Sequence, residues 1–109
     1  MNKVLYLLCC HSVSIMFGWM PCPASVIARE IGVSVSTARR RLRELKTQGL
    51  AKTDFVCLDF EGCGPLPYNG WTITEKAMET EEYKLAKKEE RIRCREVFGP
   101  EMFPEKEDV

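Results

Sequence analysis

Residues 24–50 read ASVIAREIGVSVSTARRRLRELKTQGL, and two helical patterns meet there on either side of one glycine. On the near side, Val26, Ile27 and Ile31, with Ala28 between them, make a short amphipathic helix. Pro23 suits its first turn, where a missing N–H costs nothing. Gly32 is placed to stop it, because a glycine takes the left-handed conformation that other residues resist. On the far side Ser34 is the expected N-cap of a second helix. Ala38, Leu42 and Leu45 fall at i, i+4 and i+7, a single narrow apolar stripe for a core. The positions around that stripe are polar: Ser36, Thr37, Arg39, Arg40, Arg41, Arg43, Glu44, Lys46 and Thr47. Gly49 supplies the stop. A helix with so narrow an apolar stripe lies on a surface and turns its arginines outward.

The flanking segments complete a small domain. Residues 3–15 are apolar on most faces and predict a first helix packed on the core. Phe17-Gly18-Trp19-Met20, short, aromatic and followed by Pro21, suits a short strand. A β-branched, apolar stretch from Leu50 to Phe60 predicts another strand. Gly62, Gly64, Pro65, Pro67, Asn69 and Gly70 then predict a long, stiffened loop over 61–70, with Trp71-Thr72-Ile73-Thr74 as the return strand of a hairpin. Thr74 is placed to cap a last helix over 75–97, about 34 Å long at 1.5 Å per residue. Along it Met78, Leu85 and Ile92 recur every seven residues, with charged residues at the positions between that a coiled coil would need apolar. Ion pairs such as Glu89 or Glu90 with Arg93 are the expectation for its solvated face.

The formal net charge is zero, yet the charges are sorted along the chain. Residues 1–52 hold Lys3, Arg29, Arg39, Arg40, Arg41, Arg43, Lys46 and Lys52 against Glu30 and Glu44, a balance of +6. Residues 53–74 hold Asp54, Asp59 and Glu61 with no Lys or Arg, a balance of −3. From Glu75 onward eight basic residues face eleven acidic ones, again −3. A local excess with half its charge in one helix is the electrostatic footprint of a polyanion binder. A solvated basic helix face is the plainer reading.

Several classes of function lack support. One histidine, His11, no phosphate-cradling glycine loop and no nucleophile motif argue against an enzyme. Six cysteines (Cys9, Cys10, Cys22, Cys57, Cys63, Cys94) form no C-x2-C pair, so no zinc site is expected. Cys57 and Cys63 are the one spaced pair a metal or redox sensor would use, two ligands where a cluster needs three or four. Buried thiols acting as small hydrophobes are the better account. The apolar run Val4-Leu5-Tyr6-Leu7-Leu8-Cys9-Cys10 is too short to span a bilayer, which takes about 20 residues. His11, Ser12 and Ser14 interrupt it, and the bulky Leu8 precedes Cys9 where signal cleavage needs a small residue. A cytoplasmic chain with reduced cysteines is the expectation, with export as the competing reading.

Three pieces carry a family resemblance. The first is Ala28-x3-Gly32-Val33-Ser34-x-Ser36-Thr37. The second is Arg40-x-Leu42-x2-Leu45-x3-Gly49-Leu50, and the third is Trp71-Thr72-Ile73-Thr74-Glu75-Lys76, with Ala77 where Gly is common. Together they cover residues 24–77, and the chain there resembles the winged helix-turn-helix transcriptional regulators, close to the MarR-like and PadR-like groups. The resemblance implies an α+β, mainly α fold: a three-helix core, a β wing of two to three strands and a long C-terminal helix. It divides the chain into a DNA-binding unit (1–74), a C-terminal helix that dimerises (75–98) and a flexible acidic tail (99–109). It implies a small regulator that binds double-stranded DNA sequence-specifically, as a homodimer, with residues 34–48 as the recognition helix.

Residue by residue, the resemblance implies that Ser34 caps that helix where it enters the major groove. Ser36 and Thr37 approach bases or a phosphate, and Arg40 pairs with guanine O6 and N7. Arg39 and Arg43 meet phosphates, Lys46 lies at the periphery, and Arg41 sits nearer the first helix. Met78, Leu85 and Ile92 form the dimer line. No cofactor, metal, membrane or small-molecule ligand is implied. The acid-only wing departs from the family, where wings offer Arg or Lys to DNA. That departure favours a competing reading, a winged-helix module that binds protein instead.

Overall fold

In the computed structural model, which describes residues 1–62 and 64–99, Asn2 begins the first helix. Its Oδ1 accepts from Leu5 N–H at 3.1 Å, and α1 runs Lys3–Val13. It stops two residues earlier than its apolar pattern suggests. Ser14 turns out of helical geometry, and its Oγ accepts from the N–H groups of Met16 and Phe17 at 3.3 and 3.2 Å. A short serine side chain offers the backbone this alternative to a further helical turn.

The strand expected at Phe17–Met20 is absent; residues 15–20 form turns and a bend. Gly18 N–H donates to Ser14 O at 2.7 Å, and a Cβ at Gly18 would stand 2.5 Å from the carbonyl oxygens of Ser12 and Ser14. What remains of a third strand is one antiparallel bridge, Cys22 with Trp71, in which each residue's N–H donates to the other's carbonyl at 2.8 and 2.7 Å. Pro21 and Pro23 on either side have no N–H with which to lengthen it.

The helix pair follows its sequence signals closely. Pro23 takes the N-cap position of α2 (Ala24–Ile31), and Gly32 ends it in the left-handed region at φ 71°. Ser34 Oγ accepts from Thr37 N–H at 3.1 Å to cap α3 (Val35–Thr47). Ala38, Leu42 and Leu45 are fully buried on α3, as their spacing requires.

β1 (Ala51–Phe60) and β2 (Gly64–Ile73) pair antiparallel from Ala51↔Ile73 to Phe60↔Gly64. The long loop expected over 61–70 is therefore strand from Gly64 onward. Trp71 turns its N–H outward to Cys22, and the two-residue phase of the ladder gives Pro65 and Pro67 the same outward N side. Prolines are tolerated there because an edge strand asks nothing of that position.

The last helix is also divided. Thr74 Oγ1 donates to Gly49 O at 2.5 Å, and a short 3-10 turn follows at Lys76–Glu79. The cap of the main helix is Thr80, in extended conformation, whose Oγ1 accepts from Tyr83 N–H at 3.3 Å. α4 then runs Glu81–Phe98 instead of 75–97, with Glu81 and Glu82 at its positive end. The described architecture is thus α+β and mainly helical: four α-helices and one two-stranded antiparallel sheet. The tail from Pro100 to Val109 lies outside the described residues.

α1 sits at the centre. Val4, Leu5, Leu8 and Cys9 meet Ile27 and Ala28 of α2, the α3 stripe, Ala51 and Ile73 of the hairpin, and Ala77 and Ala86. Gly70 governs how the hairpin joins this core, because a Cβ there would stand 2.7–2.8 Å from the backbone of Pro21 and Cys22. Gly70→Ala is expected to cost about 1–3 kcal/mol, the range for forced overpacking, and to disrupt the Cys22–Trp71 bridge. Urea unfolding reads the loss, and amide exchange at Cys22 and Trp71 reads its location.

Candidate nucleic-acid interface

At 3.6 residues per turn the buried Ala38/Leu42/Leu45 stripe sets the direction of every other α3 side chain. The ridge opposite is Ser36, Arg40, Arg43 and Thr47, all exposed. Arg39 lies on the flank toward the hairpin, where it lines an open cleft of about 510 Å³ with Ser25, Asp54, Phe55 and Trp71. Lys46, two turns on, shares that flank and is exposed. Arg41 lies on the other flank, beside Asn2, Lys3 and Val4 at the start of α1.

None of the guanidinium groups of Arg39, Arg40, Arg41 and Arg43 makes a hydrogen bond or ion pair among the described residues. Glu44 shares the helix and Asp54 shares the cleft, yet neither comes within pairing distance of them. Four guanidinium groups on one helix, uncompensated, give this side of the molecule a strong positive field.

The hydroxyls expected at the site divide. Ser34 Oγ accepts from Thr37 N–H and donates to Thr37 Oγ1 at 2.9 Å, so these two residues hold the helix start together. Ser36 is exposed and unengaged among the described residues. Two residues at this helix escaped the sequence reading. Thr47 stands on the outward ridge one turn past Arg43, its Oγ1 donating to Arg43 O at 3.0 Å; the i+4 spacing was the available signal. Lys76 Nζ donates to Gln48 O at 3.0 Å and caps the negative end of α3 from across the hairpin. No local signal predicts that contact.

The hairpin presents the opposite charge. Asp54, Asp59 and Glu61 are exposed, and Asp54 Oδ1 accepts from Phe55 N–H at 2.8 Å. Directly paired residues share a sheet face, so Val56 with Tyr68 and Leu58 with Leu66 form an apolar patch on the side away from Trp71 and Ile73.

The expected dimer line is not one helical row. Met78 belongs to the 3-10 turn, while Leu85 and Ile92 lie on the face of α4 opposite its buried Ala86, Glu90 and Cys94. The three are 45%, 38% and 40% exposed. On the inner side, Tyr6 Oη donates to Glu89 Oε1 at 2.6 Å, and Glu90 pairs with Arg93 at 2.5 Å.

No family model, curated protein or solved structure matches the chain. Among the described residues no helix is long and apolar enough to cross a membrane, and no three His, Cys, Asp or Glu side chains cluster to hold a metal. Of the Cys57/Cys63 pair, Cys63 lies outside the described residues. Cys57 is exposed on β1, while Cys9, Cys22 and Cys94 are buried. His11 Nε2–H donates to Met20 O at 2.9 Å, a structural bond between α1 and the following loop.

Burial pushes the Cys9 thiol up to about 12 and the Cys22 thiol up to about 11, and it raises those of Cys10 and Cys94. The thiolate is the reactive form. Cys57 is therefore expected to react with a disulfide reagent at pH 8 well before these four, which peptide mapping of the labelled sites resolves. The same shifts have a stability consequence. A raised thiol pKa favours folding at lower pH, and that contribution fades as pH climbs from the ordinary 9.0 through 11 and 12.

Proposed function

We propose that the chain is a winged helix-turn-helix protein that binds double-stranded DNA sequence-specifically, as a small transcriptional regulator. The observation that carries this reading is the outward face of α3, where arginines without acidic partners stand opposite a fully buried stripe. Affinity comes from Arg39, Arg43 and Lys46 at phosphates. Specificity comes from Arg40 and Ser36, which lead the ridge that enters the major groove, with Thr47 further along it. Ser34 and Thr37 hold the helix start, and their hydroxyls bring the first turn to the backbone. The protein works as a homodimer whose paired α3 helices read two half-sites.

The reading is supported by helix geometry and charge, and no cofactor or metal enters it. A second reading, a protein-binding module, draws support from the hairpin, which presents an apolar face together with three acids that a phosphate backbone would repel. Fluorescence anisotropy on pooled random duplex DNA separates the two. Micromolar binding that weakens by about 0.9 log units per phosphate contact for each log unit of salt supports DNA binding. Folded protein with no affinity at low salt removes it.

A further inference from the structure

The loop between α1 and α2 leaves four large apolar side chains in water. Ile15, Met16, Phe17 and Trp19 are 51%, 63%, 57% and 63% exposed. The loop is well fastened despite that exposure. Gly18 N–H and Met20 N–H close turns onto Ser14 O and Phe17 O, and His11 holds Met20 from α1. Ile15 N–H donates to Glu90 Oε2 at 3.3 Å, tying the loop to α4. Glu90 is the one buried charged side chain among the described residues, 8% exposed, and its other oxygen takes Arg93. One turn past Cys94 on that inner face of α4, Val97 is 68% exposed.

We propose that this surface pairs with the same surface of a second copy in a two-fold dimer. Two observations select that occupant. The first is area. Taking the roughly 150–250 Å² of an aromatic side chain as the scale for all four, the loop residues expose about 450 Å² of largely apolar surface at these fractions. A standard interface takes about 800 Å² from each partner, some 60% of it apolar, which is about the same amount.

The second is charge. A two-fold interface sets each patch against itself, so a charged patch meets its own sign. From Ser12 to Ala28 the chain has no Asp, Glu, Lys or Arg. The arginines of α3 and the acids of the hairpin would each repel their copies. Leu85 and Ile92 offer a smaller area among the charges of Glu81, Lys88 and Glu96. The dimer called for by the DNA reading is thus assigned to the α1–α2 loop rather than to the outer face of α4.

Sedimentation equilibrium of the full chain tests the assignment. Wild type is expected at about twice the 12.5 kDa monomer mass. Phe17→Ser/Trp19→Ser is expected to raise the dimer dissociation constant at least about 100-fold, the loss of two aromatic anchors in each copy. Leu85→Ser/Ile92→Ser is expected to leave it within a few-fold. Circular dichroism checks that each variant is folded. A wild-type monomer at about 100 μM overturns the proposal, and so does a dimer that only the α4 variant dissociates. A monomer that instead co-sediments with lipid vesicles overturns it in favour of a bilayer. The DNA reading fails separately: if wild type is a dimer yet neither it nor the loop variant binds duplex DNA, the dimer stands and that reading falls.

Discussion

Arg40→Ala/Arg43→Ala is expected to weaken duplex DNA binding by at least about 30-fold, taking roughly 1 kcal/mol as the lower value for each arginine contact. Both guanidinium groups stand on the outward ridge of α3 without a partner among the described residues, so removing them breaks no side-chain bond. Alanine is also the better helix former, and the melting temperature should hold. The salt dependence distinguishes their roles. If both meet phosphates, the slope of log affinity against log salt falls by about 2; a base contact lowers affinity with less change in slope. Arg41→Ala is the control, because Arg41 lies on the α1 flank beside Asn2 and Lys3. Equal loss from Arg41→Ala would mean diffuse attraction to the whole helix and would overturn the oriented face.

What was legible in the sequence was what neighbouring residues decide among themselves. Gly32, the Ser34 cap and the Ala38/Leu42/Leu45 stripe are local signals, and α2 and α3 appear where those signals put them. The hairpin was legible in its existence and its first strand but not in its length. Pro65 and Pro67 speak for a loop until the Cys22–Trp71 bridge sets the phase that turns their missing N–H groups outward. The break before α4 was hidden for a different reason. Thr74 and Thr80 are both competent caps followed by glutamates, and each is used: Thr74 Oγ1 accepts from Ala77 N–H at 3.4 Å over the 3-10 turn while donating to Gly49 O, and Thr80 Oγ1 accepts from Tyr83 N–H over α4.

The candidate site divides in the same way. The exposure of the arginines follows from the stripe beneath them. Their division into a hairpin flank, an outward ridge and an α1 flank depends on what packs beside α3. The contact of Lys76 with the end of α3 spans 28 residues of sequence, and no local pattern announces it. Phe17–Met20 reads as a strand, and Ile15 as the end of the first helix, because exposed apolar residues and buried ones look alike in a sequence. Burial is a tertiary fact, and here the carbonyls of Ser12 and Ser14 around Gly18 settle the backbone first.

Leu42→Ala is the second large effect. Leu42 is 0% exposed at the middle of the α3 stripe, within the cluster that joins α1, α2 and the hairpin. Truncating a leucine in such a site costs about 2–5 kcal/mol, transfer and cavity terms together, a large share of the roughly 5–15 kcal/mol that holds a domain folded. Urea unfolding should show a lower midpoint at an unchanged slope, and the melting temperature should fall by roughly 10 °C or more. Leu85→Ala, on the outer face of α4, should stay within about 1 kcal/mol. A Leu42→Ala loss under 1 kcal/mol would mean that α3 does not rest on the core as described. Measured well below its melting point, this variant should still bind DNA within a few-fold of wild type, since every arginine remains. The arginine variant should do the reverse, losing DNA and keeping stability. That crossed result is what a helix with one face for the core and the other for a polyanion requires. Variants that lost both properties together would show the two faces to be one coupled unit.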